Sequence, residues 1–175
     1  GRAHRGMADA LALADPGARV PWYGPPMGLL SFVSARLMET WAHGQDVADA
    51  LHHRRVPTDR LRHIAHLGVR ARPFSYVARG RELPSGRIDV VLTAPSGEPW
   101  RWEIGDADPD GPPEASVRGS ALDFCLVVTQ RRNLADTDLV VTGDRAKGWM
   151  EVAQAFAGPP GAGRPPLATG SSTDR

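Results

Sequence analysis

RIDVVLTAPSGEPWRWEIG, residues 87–105, is the stretch where the chain changes its period. Ile88, Val90 and Leu92 alternate with Asp89, Val91 and Thr93, and Trp100, Trp102 and Ile104 alternate with Arg101 and Glu103. Two runs of period two around Ser96-Gly97 predict a β-hairpin. Upstream of about residue 80, apolar residues recur every three or four positions, the period of helices. The two patterns together predict an α+β protein with helices over 1–80 and a small α+β unit over 81–158. The Pro/Gly/Ser-rich tail, 159–175, is expected to be disordered.

Beyond the hairpin, DADPDGPPE is a loop, and SALDFCLVVTQRR (120–132) reads as a buried helix or a strand, with a helix favoured. Ser120 and Asp123 mark its start and basic residues its end. DLVVT (138–142) is a short strand, and KGWMEVAQAF (147–156) a last helix closed by Gly-Pro-Pro. Before the hairpin, a helix is predicted from about 59 to 79, with Thr58 as its N-cap and a kink or division at Pro73. Leu61, Ile64 or Ala65, Gly68 and Ala71 or Arg72 lie on one side of it. VPWYGPPMG (20–28) is a connection, and GRAHRGMADALALAD reads as the last turns of a helix already under way.

The longest helical pattern, about 27–51, holds the residues that bear on function. Leu30, Val33, Leu37, Trp41, Gly44, Ala48 and Leu51 form one stripe. METWAHGQDVAD (38–49) sets Glu39, His43 and Asp46 roughly opposite, at about 100° per residue. Such a face is either the solvent side of an amphipathic helix or a metal site. Phe32, Ala35, Ala42 and Ala50 lie on the same side, and Leu29, Met38 and Val47 flank it, so burial on more than one side is expected. A buried carboxylate needs a partner or a cation. Glu and His one turn apart can ligate one ion, with Asp46 as an acceptor that orients the imidazole.

RLMETWAHGQDVADAL resembles the metal-binding helix of the mycothiol-dependent maleylpyruvate isomerase family, within the DinB-like four-helix bundles. That helix carries R-x-x-E-x-x-x-H-x-x-D, matched by Arg36, Glu39, His43 and Asp46. PWYGPPM, RLRHIAHLGVR, ALDFCLVVTQRR and AQAFAGPPG are similar to an actinobacterial branch described only as metal-binding proteins. The resemblance implies that Glu39 and His43 bind a divalent metal, Zn²⁺ by preference for mixed His/Glu ligation, with Asp46 behind them. It further implies a histidine on an earlier helix, which has no counterpart here because residues 1–15 match the end of the third helix. The expected fold is thus the last part of a DinB-like bundle followed by a sterol-carrier-like domain. Mycothiol and an electrophilic small molecule are the implied partners. A non-enzymatic metal- or ligand-binding protein on the same scaffold is the alternative. A relationship of the C-terminal unit to a tRNA wyosine-formation domain is a third reading.

Other residues carry weaker signals. Arg131 and Arg132 end the 120–132 helix, where they either satisfy its C-terminal dipole or hold a carboxylate of thiol cofactor or substrate. His63, His66 and Arg70 share a helix face, and His52, His53, Arg54 and Arg55 form a polar turn. Cys125 lies among Leu122, Phe124, Leu126 and Val127, which favours packing over nucleophilic chemistry. One cysteine excludes an internal disulfide framework and suits a reducing cytosol. Lys plus Arg number 21 against 20 Asp plus Glu, so no global charge draws the chain to nucleic acid or anionic membrane. No apolar run approaches the ~18 residues of a membrane span.

Overall fold

The computed structural model describes residues 2–21, 26–106 and 115–167. The first helix, α1 (Arg2–Leu13), ends ahead of the Asp15-Pro16-Gly17 turn, where the Asp15 carboxylate accepts the Gly17 N–H at 2.9 Å. The connection after it has paired ends: β1 (Arg19–Val20) and β2 (Met27–Gly28) run antiparallel. Its central residues, 22–25, lie outside the described part.

Helix α2 (Leu29–Ala50) has nearly the expected bounds but a different orientation. Ala35, Met38, Ala42 and Ala48 are buried, whereas Leu30 is 73% and Leu51 71% exposed. The buried face therefore lies about a quarter turn from the Leu37-centred stripe.

Helix α3 (Leu61–Arg70) buries Leu61, Ile64, Ala65 and Gly68 on the side its periodicity predicts, and Val69 beside them. It starts later than expected. Thr58 does not cap it through its hydroxyl; its carbonyl accepts the Leu61 N–H instead at 3.0 Å. Pro73 sits in the first turn of α4 (Arg72–Val77), where its missing N–H costs nothing, so the predicted division occurs at Ala71.

The hairpin forms as predicted from β3 (Ile88–Thr93) and β4 (Pro99–Ile104), in antiparallel register with Val90 opposite Trp102 and Leu92 opposite Trp100. Gly97, at φ 91°, makes the turn that a side chain would strain. A strand absent from the sequence prediction, β5 (Ala115–Ser120), pairs parallel with β3 on its other side. The third pairing joins β5 to β6 (Val140–Thr142), giving the order β4-β3-β5-β6. Strand β5 passes directly into α5 (Ala121–Val128), whose N-cap Ser120 accepts the Asp123 N–H through its hydroxyl at 2.9 Å. The last helix, α6 (Asp144–Val152), begins and ends earlier than predicted. Most of the expected loop before β5, residues 107–114, lies outside the described part.

On β3, Ile88, Val90 and Leu92 are fully buried while Asp89 and Val91 are half-buried and Thr93 is exposed. One sheet face thus carries the core. A single apolar cluster combines those residues with Met38 of α2, Ile64 of α3, Tyr76 of α4, Phe124 of α5 and Trp149 of α6. It crosses the boundary expected near residue 80. Gly68 allows α3 to approach α5 closely, since a Cβ there would stand 2.8 Å from Val128 Cγ2. Phe124 and Trp149 meet edge to face at 5.9 Å between centroids.

Beyond α6 the chain stays attached. The buried Gln154 donates to Phe156 and Gly158 carbonyls at 3.1 and 3.0 Å, and its own N–H meets Ser75 Oγ at 3.0 Å. Of the expected disordered tail, 159–167 lies against the body: the Leu167 N–H reaches the Asp136 carboxylate at 3.0 Å. Residues 168–175 lie outside the described part.

Candidate functional site

The outward side of α2 gathers the residues singled out by spacing. His43 stands between two carboxylates, Nε2 3.4 Å from Glu39 Oε2 and Nδ1 3.5 Å from Asp46 Oδ2. Its side chain is 71% exposed, while those of Glu39 and Asp46 are about one-third exposed. The two imidazole nitrogens thus face different partners. One points toward the Glu39 oxygen with which it would share an ion, and the other toward Asp46.

Asp46 does not face solvent alone. Arg131 grips it with both arms, Nη2 to Oδ2 at 2.8 Å and Nε to Oδ1 at 3.3 Å, and Arg164 reaches Oδ1 at 3.0 Å. One turn on, Arg132 holds Asp49 in a second fork at 2.7 and 2.9 Å, and Gln45 adds a bond at 2.8 Å. The two adjacent arginines after α5 therefore bind two carboxylates one turn apart on α2. Both were expected either to cap α5 or to hold an external carboxylate. Their acceptors here are internal ones, because Asp46 and Asp49 repeat at the three-residue spacing that two successive guanidinium forks can match.

The charge pattern follows. Arg132's hydrogen bond is the largest influence on Asp49 and, with Gln45 and the nearby positive charges, outweighs burial, holding its carboxyl down to about 2. For Asp46, burial is the largest influence and pushes upward. Arg131's hydrogen bond and the charges of Arg131, Arg164 and His43 together exceed it, and the carboxyl lies below the ordinary range.

As a metal centre this face is partial. Glu39 and His43 supply two donors, and both Asp46 oxygens are occupied by guanidinium groups. Among the described residues no three His, Cys, Asp or Glu side chains are arranged to hold an ion. Glu39 and His43 have the donor chemistry for two positions of a metal site and no more, and Asp46 lies on the other side of the imidazole.

The other candidates fall away from this face. His66 Nδ1 accepts the Trp102 indole N–H at 3.1 Å. Trp100 is buried in the core. Cys125 is fully buried, its Sγ 3.6 Å from the Leu61 carbonyl, and desolvation drives its thiol far above the usual range. Sequence reasoning missed Asp49 and Arg164. Asp49 was visible as the next i+3 carboxylate on the helix; Arg164 lies in a low-complexity tail and carries no such signal.

The fold and this face define an α+β protein with a helix-borne Glu/His/Asp triplet braced by arginines. Residues 1–48 match the family described as mycothiol maleylpyruvate isomerase N-terminal domain. Two uncharacterised proteins of Mycobacterium tuberculosis, from strains CDC 1551 / Oshkosh and ATCC 25618 / H37Rv, are each 49% identical over 166 residues. The match covers 94% of this chain and 60% of each relative. The chain thus spans about three-fifths of the length of the curated relatives it matches. No solved structure matches the chain.

Proposed function

We propose that this chain contributes the Glu39–His43 edge of a divalent-metal centre in an enzyme that transfers or isomerises small molecules through a thiol cofactor. Mycothiol is the cofactor suggested by the family. The observation that carries the reading is the division of labour around His43. Nε2 and Glu39 Oε2 lie 3.4 Å apart on an accessible helix face, while Nδ1 faces an Asp46 already locked by Arg131. Solvation alone would not require so constrained a carboxylate beside an exposed imidazole.

Zn²⁺ bound here would act as a Lewis acid that favours thiolate over thiol. The chain's own residues do the rest. Glu39 brings a negative donor, His43 a neutral one, and Asp46 fixes the ring so that Nε2 keeps its direction. Arg131 and Arg164 hold Asp46 ionised and in place.

The test is metal stoichiometry after dialysis, measured on a form extended by the further sequence its relatives carry. About one divalent ion per chain is expected, lost in both Glu39→Ala and His43→Ala. Full occupancy retained in both variants would exclude this pair as ligands. Asp46→Asn should keep the stoichiometry but weaken affinity by roughly 10- to 100-fold. With Co²⁺ as the bound ion, added mycothiol should change the visible spectrum. An unchanged spectrum with metal in place would favour a metal-binding protein without thiol chemistry.

A further inference from the structure

A second feature lies around α2 from the Glu39–His43 face and shares none of its three residues. Between α2, the loop after it and α5 opens a cleft of about 860 Å³. That size is within the ~300–1,000 Å³ typical of small-molecule sites. Its apolar lining comes from Leu61 and Ile64 of α3, Leu122 and Leu126 of α5, and the indole of Trp41. Around it stand five arginines, Arg54, Arg55, Arg60, Arg132 and Arg164, against one carboxylate, Asp49.

That carboxylate is already engaged by Arg132 at 2.7 Å, with Arg164 at 3.7 Å. Arg54, Arg55 and Arg60 have no carboxylate within ion-pairing distance among the described residues. Arg55 is held in a defined place all the same. Its Nη1 donates to the Trp41 carbonyl at 2.8 Å, and its guanidinium carbon lies 5.8 Å from the centre of the Trp41 ring. Gly44 leaves it room, since a Cβ there would stand 3.3 Å from Arg55 Nη1. A positioned guanidinium with donors to spare, two more unpaired arginines and an apolar floor form one arrangement. In a chain whose net charge is only +1, this concentration of uncompensated cations is local.

We infer that this cleft binds a small organic oxyanion, with its carboxylate or phosphate at the Arg54, Arg55 and Arg60 rim and an apolar body against Trp41 and the α3–α5 floor. Guanidinium forks suit both headgroups. The apolar lining requires a ligand that is more than a bare ion, because its contribution scales with apolar area removed from water. The inference does not depend on the metal site.

Calorimetric titration of the 175-residue chain with 2-naphthoate, 2-naphthyl phosphate, neutral 2-naphthylmethanol and inorganic phosphate tests it. At least one naphthyl anion should bind saturably, one per chain, and the tighter of the two identifies the headgroup. The neutral analogue and inorganic phosphate should each bind at least tenfold more weakly, and added salt should weaken the anion. The double variant Arg54→Ala/Arg60→Ala should lose at least tenfold in affinity at unchanged melting temperature, since both side chains are exposed and unpaired. Val56→Glu, which places a negative charge at the rim, should act in the same direction. Failure of either anion to saturate at millimolar concentration would overturn the proposal. So would equal binding of the neutral analogue or of inorganic phosphate, or undiminished binding in the double variant.

Discussion

Helices α2 and α3 present similar apolar periodicity in the sequence and are held by different forces. In α3 the stripe is the interface: Leu61, Ile64 and Ala65 are at most 1% exposed, and Gly68 lies against Val128. In α2 the stripe is only partly covered, with Leu30, Val33 and Leu51 exposed and Ala48 buried, and the helix is fastened through Met38, small alanines and the paired forks from Arg131 and Arg132. Periodicity states that a helix has an apolar face; it does not state that the rest of the described chain covers it. An ion-paired helix leaves its far side free for a site, whereas an apolar-packed helix spends its whole face on the core.

The largest effect expected from breaking this contrast is on the α3 side. Gly68→Leu must displace the fully buried Val128, and overpacking at a helix crossing costs about 3 kcal/mol. Urea unfolding should show a midpoint shift of that size or loss of the cooperative transition. A loss below about 1 kcal/mol would mean that α3 and α5 are not in close contact. On the α2 side, Arg132→Ala removes the fork on Asp49. It should cost roughly 1–2 kcal/mol, the scale of charge-assisted hydrogen bonds in a half-buried place. A double-mutant cycle with Asp49→Asn isolates the pair, and a coupling near zero would make the fork incidental to stability.

Acid provides a milder way to loosen α2. Asp49 titrates near 2 in the folded chain against an ordinary 3.8, so the unfolded chain binds more protons between those values. Its contribution is therefore complete above about pH 4 and lost as pH falls through 2. Asp46 is shifted in the same direction. Stability measured down this range should fall less in Asp49→Asn than in the parent chain. Parallel curves would place the acid sensitivity elsewhere.

What was legible in the sequence divides along the same line. The hairpin, the break before Pro73 and the Ser120 cap depend on neighbours within a few residues, and each appears where the pattern puts it. Strand β5 was not legible. ASVRGS has no clean alternation, includes Gly119, and is a strand because β3 and β6 flank it. The placement of Glu39, His43 and Asp46 on one helix face followed from spacing, and their ligand roles from the family resemblance. The partner of Asp46 did not, because Arg131 lies 85 residues away, and no local rule links a carboxylate to an arginine at that separation.

The smallest expected effect tests the comparison most directly. Leu30 heads the α2 stripe and is 73% exposed, so Leu30→Ser removes little buried area and should change stability by less than about 0.5 kcal/mol. The same truncation in α3, Ile64→Ser, would empty a fully buried position and cost several times as much. The two substitutions, measured together by urea unfolding, compare an open stripe with a closed one on equal chemistry. A loss above about 1 kcal/mol for Leu30→Ser would show that the stripe is covered in solution. If that loss grew with protein concentration, the cover would be a second copy of the chain, since only an intermolecular contact gains from mass action. A negligible loss at every concentration would leave α2 as described, fastened by its arginine forks and a few core contacts.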